Sequence, residues 1–312
     1  MTETIDLIGL GELLWDCFPD RRLPGGAPAN VAFHAKQLGL NASVASRVGQ
    51  DELGRELCEF LESQGLKTDL IQRDQNHPTG TVTVDPSSTA EINYQFLENS
   101  AWDYLELNSE WLEAVRSTRA ICFGTLAQRR PTSRTAIHRC LQHISYRSLI
   151  VYDVNIRPPF VNKDWIKKSL ERCTIVKMND GEVKILAHLL EFPSTDDVRF
   201  AKWLLDEHKR LEVVCITRGS QGCLAVTCDE TYDLPGIPTV VADTVGAGDA
   251  FTAAIIYGQL EGWPLSKTLD LANRFGALVA SRPGAMPDLK AELDAVKTEL
   301  EWSYRITPTH NG

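Results

Sequence analysis

The stretch Ala242-Asp243-Thr244-Val245-Gly246-Ala247-Gly248-Asp249-Ala250-Phe251 decides how this chain of 312 residues is read. It follows an apolar, β-branched run, Ile237 to Val241, which reads as a buried strand, and precedes Ala253-Ala254-Ile255-Ile256-Tyr257, which reads as a helix. Between them lie two glycines with one alanine, then a carboxylate in the first helical turn. Small residues let backbone N–H groups approach an anion closely, and a helix N-terminus adds about half a positive charge. An aspartate held at that end can take a proton from a hydroxyl while the same amides bind a phosphate in transfer. The alternative is a glycine-rich turn whose Asp249 only favours the helix dipole. Taken alone, the stretch does not choose between them.

Upstream of it the chain alternates. Ala120–Phe123, Leu149–Asp153, Ile175–Met178 and Val213–Thr217 read as strands. Thr132–Ile144, Asp164–Cys173 and a pair within Gly181–His208 read as helices. Such alternation implies right-handed crossovers and a mainly parallel sheet, with sites beyond the carboxyl ends of its strands. Those ends collect polar residues: Asp153, Asn155 and Arg157, then Asn179 and Glu182, then Thr217-Arg218-Gly219-Ser220-Gln221-Gly222, then the quoted stretch. No GxxxxGK[ST] loop and no G-x-S-x-G elbow is present.

Near the N-terminus, Ile5 to Glu12 reads as a strand that continues through Leu13 to Phe18. Gly9-x-Gly11 invites a dinucleotide-binding reading, but the third glycine would fall at Leu14 and no helix opens at Gly11. Leu23-Pro24-Gly25-Gly26-Ala27-Pro28-Ala29-Asn30 leads into an apolar helix that stops at Gly39, with Pro28 suited to its first turn. A Gly-Gly turn there lets a ligand touch backbone, and Asn30 offers a donor and an acceptor; an ordinary tight turn would look the same. A strand (Ala42–Val48) and a helix (Glu52–Gln64) follow. Thr79–Val84 and Glu91–Phe96 alternate like half-exposed antiparallel strands, with a turn at Asp85-Pro86-Ser87-Ser88. This insertion is either a lid over one end of the sheet or an edge hairpin. The tail beyond Trp302 is expected to be poorly ordered.

A hydrophobic fraction of 43% and a charged fraction of 24% are those of a globular protein, and a net charge of −10 argues against nucleic-acid or acidic-membrane partners. A phosphate site must therefore be built locally. None of the eight cysteines forms a CxxC pair and several lie in apolar runs, which reads as reduced, core thiols and a cytoplasmic protein. The acidic Met1-Thr2-Glu3-Thr4 lacks the basic start of a signal peptide, and no apolar run is long enough to span a bilayer.

Taken together, these residues resemble the ribokinase/PfkB carbohydrate-kinase family, and within it the fructokinases. The likeness rests on Gly25-Gly26-x-x-x-Asn30 and Asp243-Thr244-x-Gly246-Ala247-Gly248-Asp249, with Asn179-x-x-Glu182 and Thr217-x-Gly219-x-x-Gly222 in order between them. The resemblance implies one ribokinase-like α/β domain over 1–312: a Rossmann-like, mainly parallel sheet flanked by helices. It also implies a small β-sheet lid from about 12–26 and 71–98. It implies ATP as donor, Mg²⁺, and phosphoryl transfer to a sugar hydroxyl. Asp249 then resembles the catalytic base, and Gly246, Ala247 and Gly248 the anion hole. Asp16, Gly25, Gly26 and Asn30 resemble sugar-side residues, and Arg157 resembles one that reaches the sugar or the transferring phosphoryl group. Asn179 and Glu182 match the element that holds Mg²⁺-ATP through waters. Thr217, Gly219 and Gly222 resemble the nucleotide loop, with Asn273 toward the adenine. Asp243 with the carbonyls of Val245, Val279, Arg282 and Gly284 matches a monovalent-cation site, for which K⁺ is expected. A homodimer through the lids is a family-level expectation.

The acceptor is less determined. Gly9 to Asp16, Phe123-Gly124-Thr125 and Pro131-Thr132-Ser133-Arg134 are similar to fructokinases, whereas Asp153-x-Asn155-x-Arg157 is shared with 2-keto-3-deoxygluconate kinases. Gln128-Arg129-Arg130 departs from the pattern: its cations either face solvent or favour an acidic sugar. Fructose is the expected acceptor; alternatives are 2-keto-3-deoxygluconate, ribose or a nucleoside. A non-catalytic sugar-binding regulator is opposed by the intact Asp249 motif, and a nicotinamide-dependent oxidoreductase by the missing third glycine.

Overall fold

The computed structural model describes residues 4–85 and 93–306. In chain order its strands are β1 Leu7–Leu10, β2 Leu14–Cys17, β3 Arg22–Gly25, β4 Ala42–Gly49, β5 Ile71–Asp74, β6 Gly80–Asp85, β7 Asn93–Phe96, β8 Ala120–Phe123, β9 Leu149–Asp153, β10 Ile175–Asn179, β11 Val213–Thr217, β12 Cys223–Val226 and β13 Thr231–Leu234. The helices are α1 Ala27–Leu38, α2 Glu52–Ser63, α3 Ser109–Ser117, α4 Pro131–His143, α5 Lys163–Leu170, α6 Asp180–Leu189, α7 Asp197–Glu207, α8 Ala247–Leu260, α9 Leu265–Ala280 and α10 Lys290–Ile306.

A nine-stranded sheet runs in the order β13-β12-β11-β10-β9-β8-β1-β4-β5, parallel from β11 to β5 with an antiparallel β12-β13 edge. Its parallel strands are apolar on both faces because helices cover both. Leu7, Val44, Cys122, Val151 and Cys215 point into a core shared with α1, α8, α9 and α10. Ile8, Ile121, Tyr152, Val176 and Ile216 point into a second core under α3 to α7. From β1 the chain moves first to β4 and β5 and later to β8 on the other side, so a crevice opens where the strand order reverses. A separate four-stranded sheet, β3-β2-β6-β7, stands beside that opening. The expected α/β architecture with a small extra sheet is the one observed.

Three local expectations are corrected. Ile237–Val241 is not a strand: Pro235 and Pro238 cannot donate to a ladder, β13 ends at Leu234, and Val240 is 90% exposed. The first strand does not run on to Phe18. It ends at Leu10, and β2 joins the small sheet. Gly9 and Gly11 are there because α1 packs onto β1, where a Cβ on Gly9 would run into the Pro28 carbonyl and one on Gly11 would approach the Pro28 ring at 2.9 Å. That packing accounts for the glycine pair without a dinucleotide. Of the 71–98 stretch, β5 pairs with β4 in the large sheet, and only β6 and β7 join the small one. The expected Asp85–Ser88 turn lies, from Pro86 on, outside the described residues. At the other end α10 continues past Trp302 to Ile306. No helix among the described residues is long and apolar enough to cross a membrane.

Candidate active site

A cleft of about 900 Å³ lies between the carboxyl ends of the parallel strands and the small sheet, whose Leu14, Val82 and Phe96 form one wall. It brings together residues scattered through the chain: Asp16, Gly26 and Asn30, Thr217, Gly219, Gly222 and Asn273, and Gly246 to Asp249. Asn155, Arg157 and Asn179 also line it.

Asp249 is in the first turn of α8. Asn30, in the first turn of α1, donates from Nδ2 to Asp249 Oδ2 at 2.7 Å and so joins the two helix N-termini. Gly246 caps α8 with a left-handed φ of 82°, and a Cβ there would lie 2.5 Å from the Ala285 carbonyl oxygen. Only glycine fits this turn without strain. No side chain caps α8; the Ala247 N–H makes only a long 3.4 Å bond to the Thr244 carbonyl, and Gly246, Ala247 and Gly248 line the cleft. The diglycine at 25–26 is explained as directly: a Cβ on Gly25 would lie 2.5 Å from Asp16 Oδ2, and one on Gly26 would run into the Glu12 carbonyl.

Burial controls the acids. Desolvation raises Asp249 to about 7, with the Asp153 charge adding to it, while Lys177, the Asn30 hydrogen bond and Arg157 pull it down. Asp16 is raised to about 6 and Glu12 to about 7, both by burial first, with Arg157 opposing. Glu12 was quoted in the sequence motif but not assigned a place in the site; it lines the cleft, and its Oε2 is a buried oxygen without a hydrogen-bond partner. Sequence reasoning also missed Lys177, which β10 carries into the cleft wall. The available signal was a lysine inside Ile175-Val176-Lys177-Met178, where a charge needs a buried partner. That partner is Asp153, 3.2 Å from Nζ through both carboxylate oxygens; Thr252 Oγ1 donates to Asp153 Oδ2 at 2.7 Å.

Several expected residues lie behind the cleft. Glu182 accepts from the N–H of Ile156 at 2.7 Å and of Asn179 at 2.8 Å, and Asn179 Oδ1 accepts from the N–H of Glu182 at 2.8 Å. This reciprocal cap fixes the start of α6 and the loop bearing Arg157. Among the described residues no cluster of three or more His, Cys, Asp or Glu side chains could hold a metal ion. Mg²⁺ that arrives on phosphates keeps most of its waters and needs few protein oxygens.

Asp243 Oδ1 accepts from the N–H of Val245 at 3.0 Å and Oδ2 from that of Gly284 at 3.1 Å, joining the loop before α8 to the turn after α9. The Val279 carbonyl already accepts from the N–H of Arg282 at 2.9 Å, and the Arg282 side chain reaches Ser281 and Glu292. A carboxylate and carbonyls form an all-oxygen set, suited to a hard cation and not to a soft one. Asp243, Val245 and Gly284 are the members this crossing brings together. Arg129 and Arg130 do not line the cleft. Arg129 pairs with both oxygens of Asp103 at 2.7 Å and stacks 3.9 Å from the Trp102 ring centre, while Arg130 donates to Asn99.

The family model described as pfkB family carbohydrate kinase matches residues 4–292. The chain belongs to that family. An uncharacterized sugar kinase from Pyrococcus horikoshii is 31% identical over 292 residues, covering 89% of this chain and 91% of the relative. Its crystal structure matches with a TM-score of 0.82 over 94% of this chain and 99% of that one, and a second structure of it holds ATP. A fructokinase from Salmonella typhimurium is 28% identical over 302 residues (91% of this chain, 96% of the relative). A 5-dehydro-2-deoxygluconokinase from Geobacillus thermodenitrificans is 26% identical over 296 residues (92% and 87%).

Proposed function

We propose that this sugar kinase transfers the γ-phosphoryl group of ATP to a hydroxyl of a small neutral sugar, with fructose as the acceptor. The observation that carries the reading is the 2.7 Å hydrogen bond between Asn30 and Asp249 inside the cleft. It joins the helix that follows the Gly25-Gly26 turn to the carboxylate at the head of α8, so an acceptor held at one meets the base and the anion hole at the other. In this reading Asp16, Gly26, Asn30 and Arg157 hold the sugar. Asp249 takes the hydroxyl proton as the oxygen attacks phosphorus, and the amides of Gly246, Ala247 and Gly248 stabilise the oxygens of the moving phosphoryl group. Thr217, Gly219, Gly222 and Asn273 hold the nucleotide. Mg²⁺, when bound with ATP, neutralises phosphate charge; Glu182 orients Asn179 and the Arg157 loop. A K⁺ ion at Asp243, Val245 and Gly284 would rigidify the loop that presents the anion hole. The small sheet closes over the sugar and keeps water from the γ-phosphate.

Fructokinases among the relatives support the acceptor, and so does the engagement of Arg129 by Asp103 away from the cleft, which leaves Arg157 as the arginine on the sugar side. The test is ADP release with fructose, ribose, 2-keto-3-deoxygluconate and adenosine, with Asp249→Asn as control. Highest kcat/KM on fructose is the expected result. Preference for the keto-deoxy acid refutes the neutral-sugar assignment, and no sugar-dependent ADP release refutes the catalytic one.

A further inference from the structure

Lys177 is buried, 7% exposed, and yet lines the cleft. Its ammonium lies against the head of α8, where a Cβ on Gly248 would be 2.8 Å from Nζ. A cation is at the wrong end of a helix there, because the N-terminus is itself positive. Two like-signed features converge stably only where an anion joins them. Asp153, Glu182 and Asp249 all act on the ammonium, but the Asp153 oxygens that bond it are 3.2 Å from Nζ, longer than the 2.7–2.9 Å typical of a tight charge-assisted bond. An ammonium has three donors, and this one borders the space where Gly246, Ala247 and Gly248 present theirs.

We propose that Lys177 is a further catalytic residue, whose ammonium contacts the phosphoryl group in transfer and neutralises its charge. Asp153, anchored by Thr252, is its positioning residue. The inference rests on the kinase reading above. In the step, the sugar oxygen forms a bond to the γ-phosphorus and its proton passes to Asp249. The bond from that phosphorus to the β,γ-bridging oxygen breaks, the electron pair leaves with ADP, and Lys177 keeps its proton. Burial opposes the charge on Lys177, but Asp153, Glu182 and Asp249 together hold its pKa above the ordinary value, so it stays cationic at neutral pH. The same charge lowers the Asp249 carboxyl, whose other charged neighbours include Asp153, Arg157 and Glu12.

Two measurements test this. In Lys177→Met, kcat should fall about 10²–10³-fold, the range for losing one transition-state donor. The sugar KM should stay within about threefold, and the acid limb of kcat/KM should move to higher pH. Unchanged kcat, or a fall with an unmoved acid limb, overturns the proposal. Independently of any variant's folding, a crystal structure of the wild-type protein with a non-hydrolysable ATP analogue should place Nζ within about 3.2 Å of a γ-phosphoryl oxygen. A γ-phosphoryl group bound out of its reach overturns the proposal as well. If the wild-type protein turns over no sugar, the kinase reading fails, while the analogue complex still decides the role of Lys177.

Discussion

Replacing Asp249 by asparagine should remove activity and raise stability at once, and the two effects should separate with pH. Burial moves this carboxyl from 3.8 to about 7 in the folded protein. A folded pKa above the unfolded one means the native state holds more protons between those values, so stability is full below pH 3.8 and declines as pH rises through 7. At about 1.4 kcal/mol for each tenfold change, the loss above pH 7 is at most roughly 4 kcal/mol, of which the variant should recover a part, on the order of 2 kcal/mol. The substituted amide keeps an oxygen to accept from Asn30, so the Asn30 donor is not stranded. Thermal melts of both proteins at pH 4.5 and pH 8 provide the assay, with ADP release measured in parallel. At pH 8 the variant should melt roughly 4 °C higher, at about 2 °C per kcal/mol for a chain of this size, and near the wild type at pH 4.5. Its kcat should be lower by about 10²–10⁴-fold, the usual contribution of a positioned base. A melting difference independent of pH, or a variant less stable at pH 8, refutes the argument that burial strains this carboxyl. Wild-type turnover removes Asp249 from the chemistry.

Other perturbations probe the supports of that group. Asn30→Ala deletes the 2.7 Å hydrogen bond that lowers the Asp249 carboxyl, so the acid limb of kcat/KM should rise by about one pH unit; an unmoved limb counts against the contact. Gly246→Ala forces a left-handed residue against the Ala285 carbonyl. It should cost about 1–3 kcal/mol of stability and at least about tenfold in kcat, measured by melting and turnover; no change in either would show that the turn adapts. Arg129→Met leaves Asp103 buried without its partner, and should destabilise by about 3–5 kcal/mol with no shift in preference between neutral and acidic sugars. A changed preference in the acceptor panel would place Arg129 in recognition after all.

The strands of the large sheet were legible because a parallel sheet covered on both faces leaves unbroken apolar runs, as in Ala120–Phe123 and Val213–Thr217. The same rule misled at Ile237–Val241, where an equally apolar run is exposed at the cleft edge and two prolines prevent pairing. Helix α8 is buried nearly all round, so its sequence carries no amphipathic period to mark its length; only Ala253–Tyr257 read as helical. Within the site, residues on glycine-rich loops could be found because their spacing is local. Lys177 shows in the sequence only as a lysine inside an apolar strand, since its meaning depends on Asp153 one strand away and on α8 packed across the sheet. Glu182 shows the converse limit: its spacing from Asn179 is visible, but both its oxygens are committed to backbone N–H groups, which spacing cannot reveal.

Charge along the cleft connects these observations to the acceptor. The positive head of α8 and Lys177 bring local positive charge to the cleft of a chain whose net charge is −10. Glu12, Asp16 and Asp249 gather around Arg157, and burial raises all three carboxyls. An acidic sugar would bring a fourth carboxylate into that group, and its charge would raise Asp249 further, against the need for a deprotonated base. A neutral polyol adds hydroxyls that can donate to these carboxylates and lower the same pKa. The acceptor that fits the cleft is therefore one whose binding helps to ionise the group that must then take its proton.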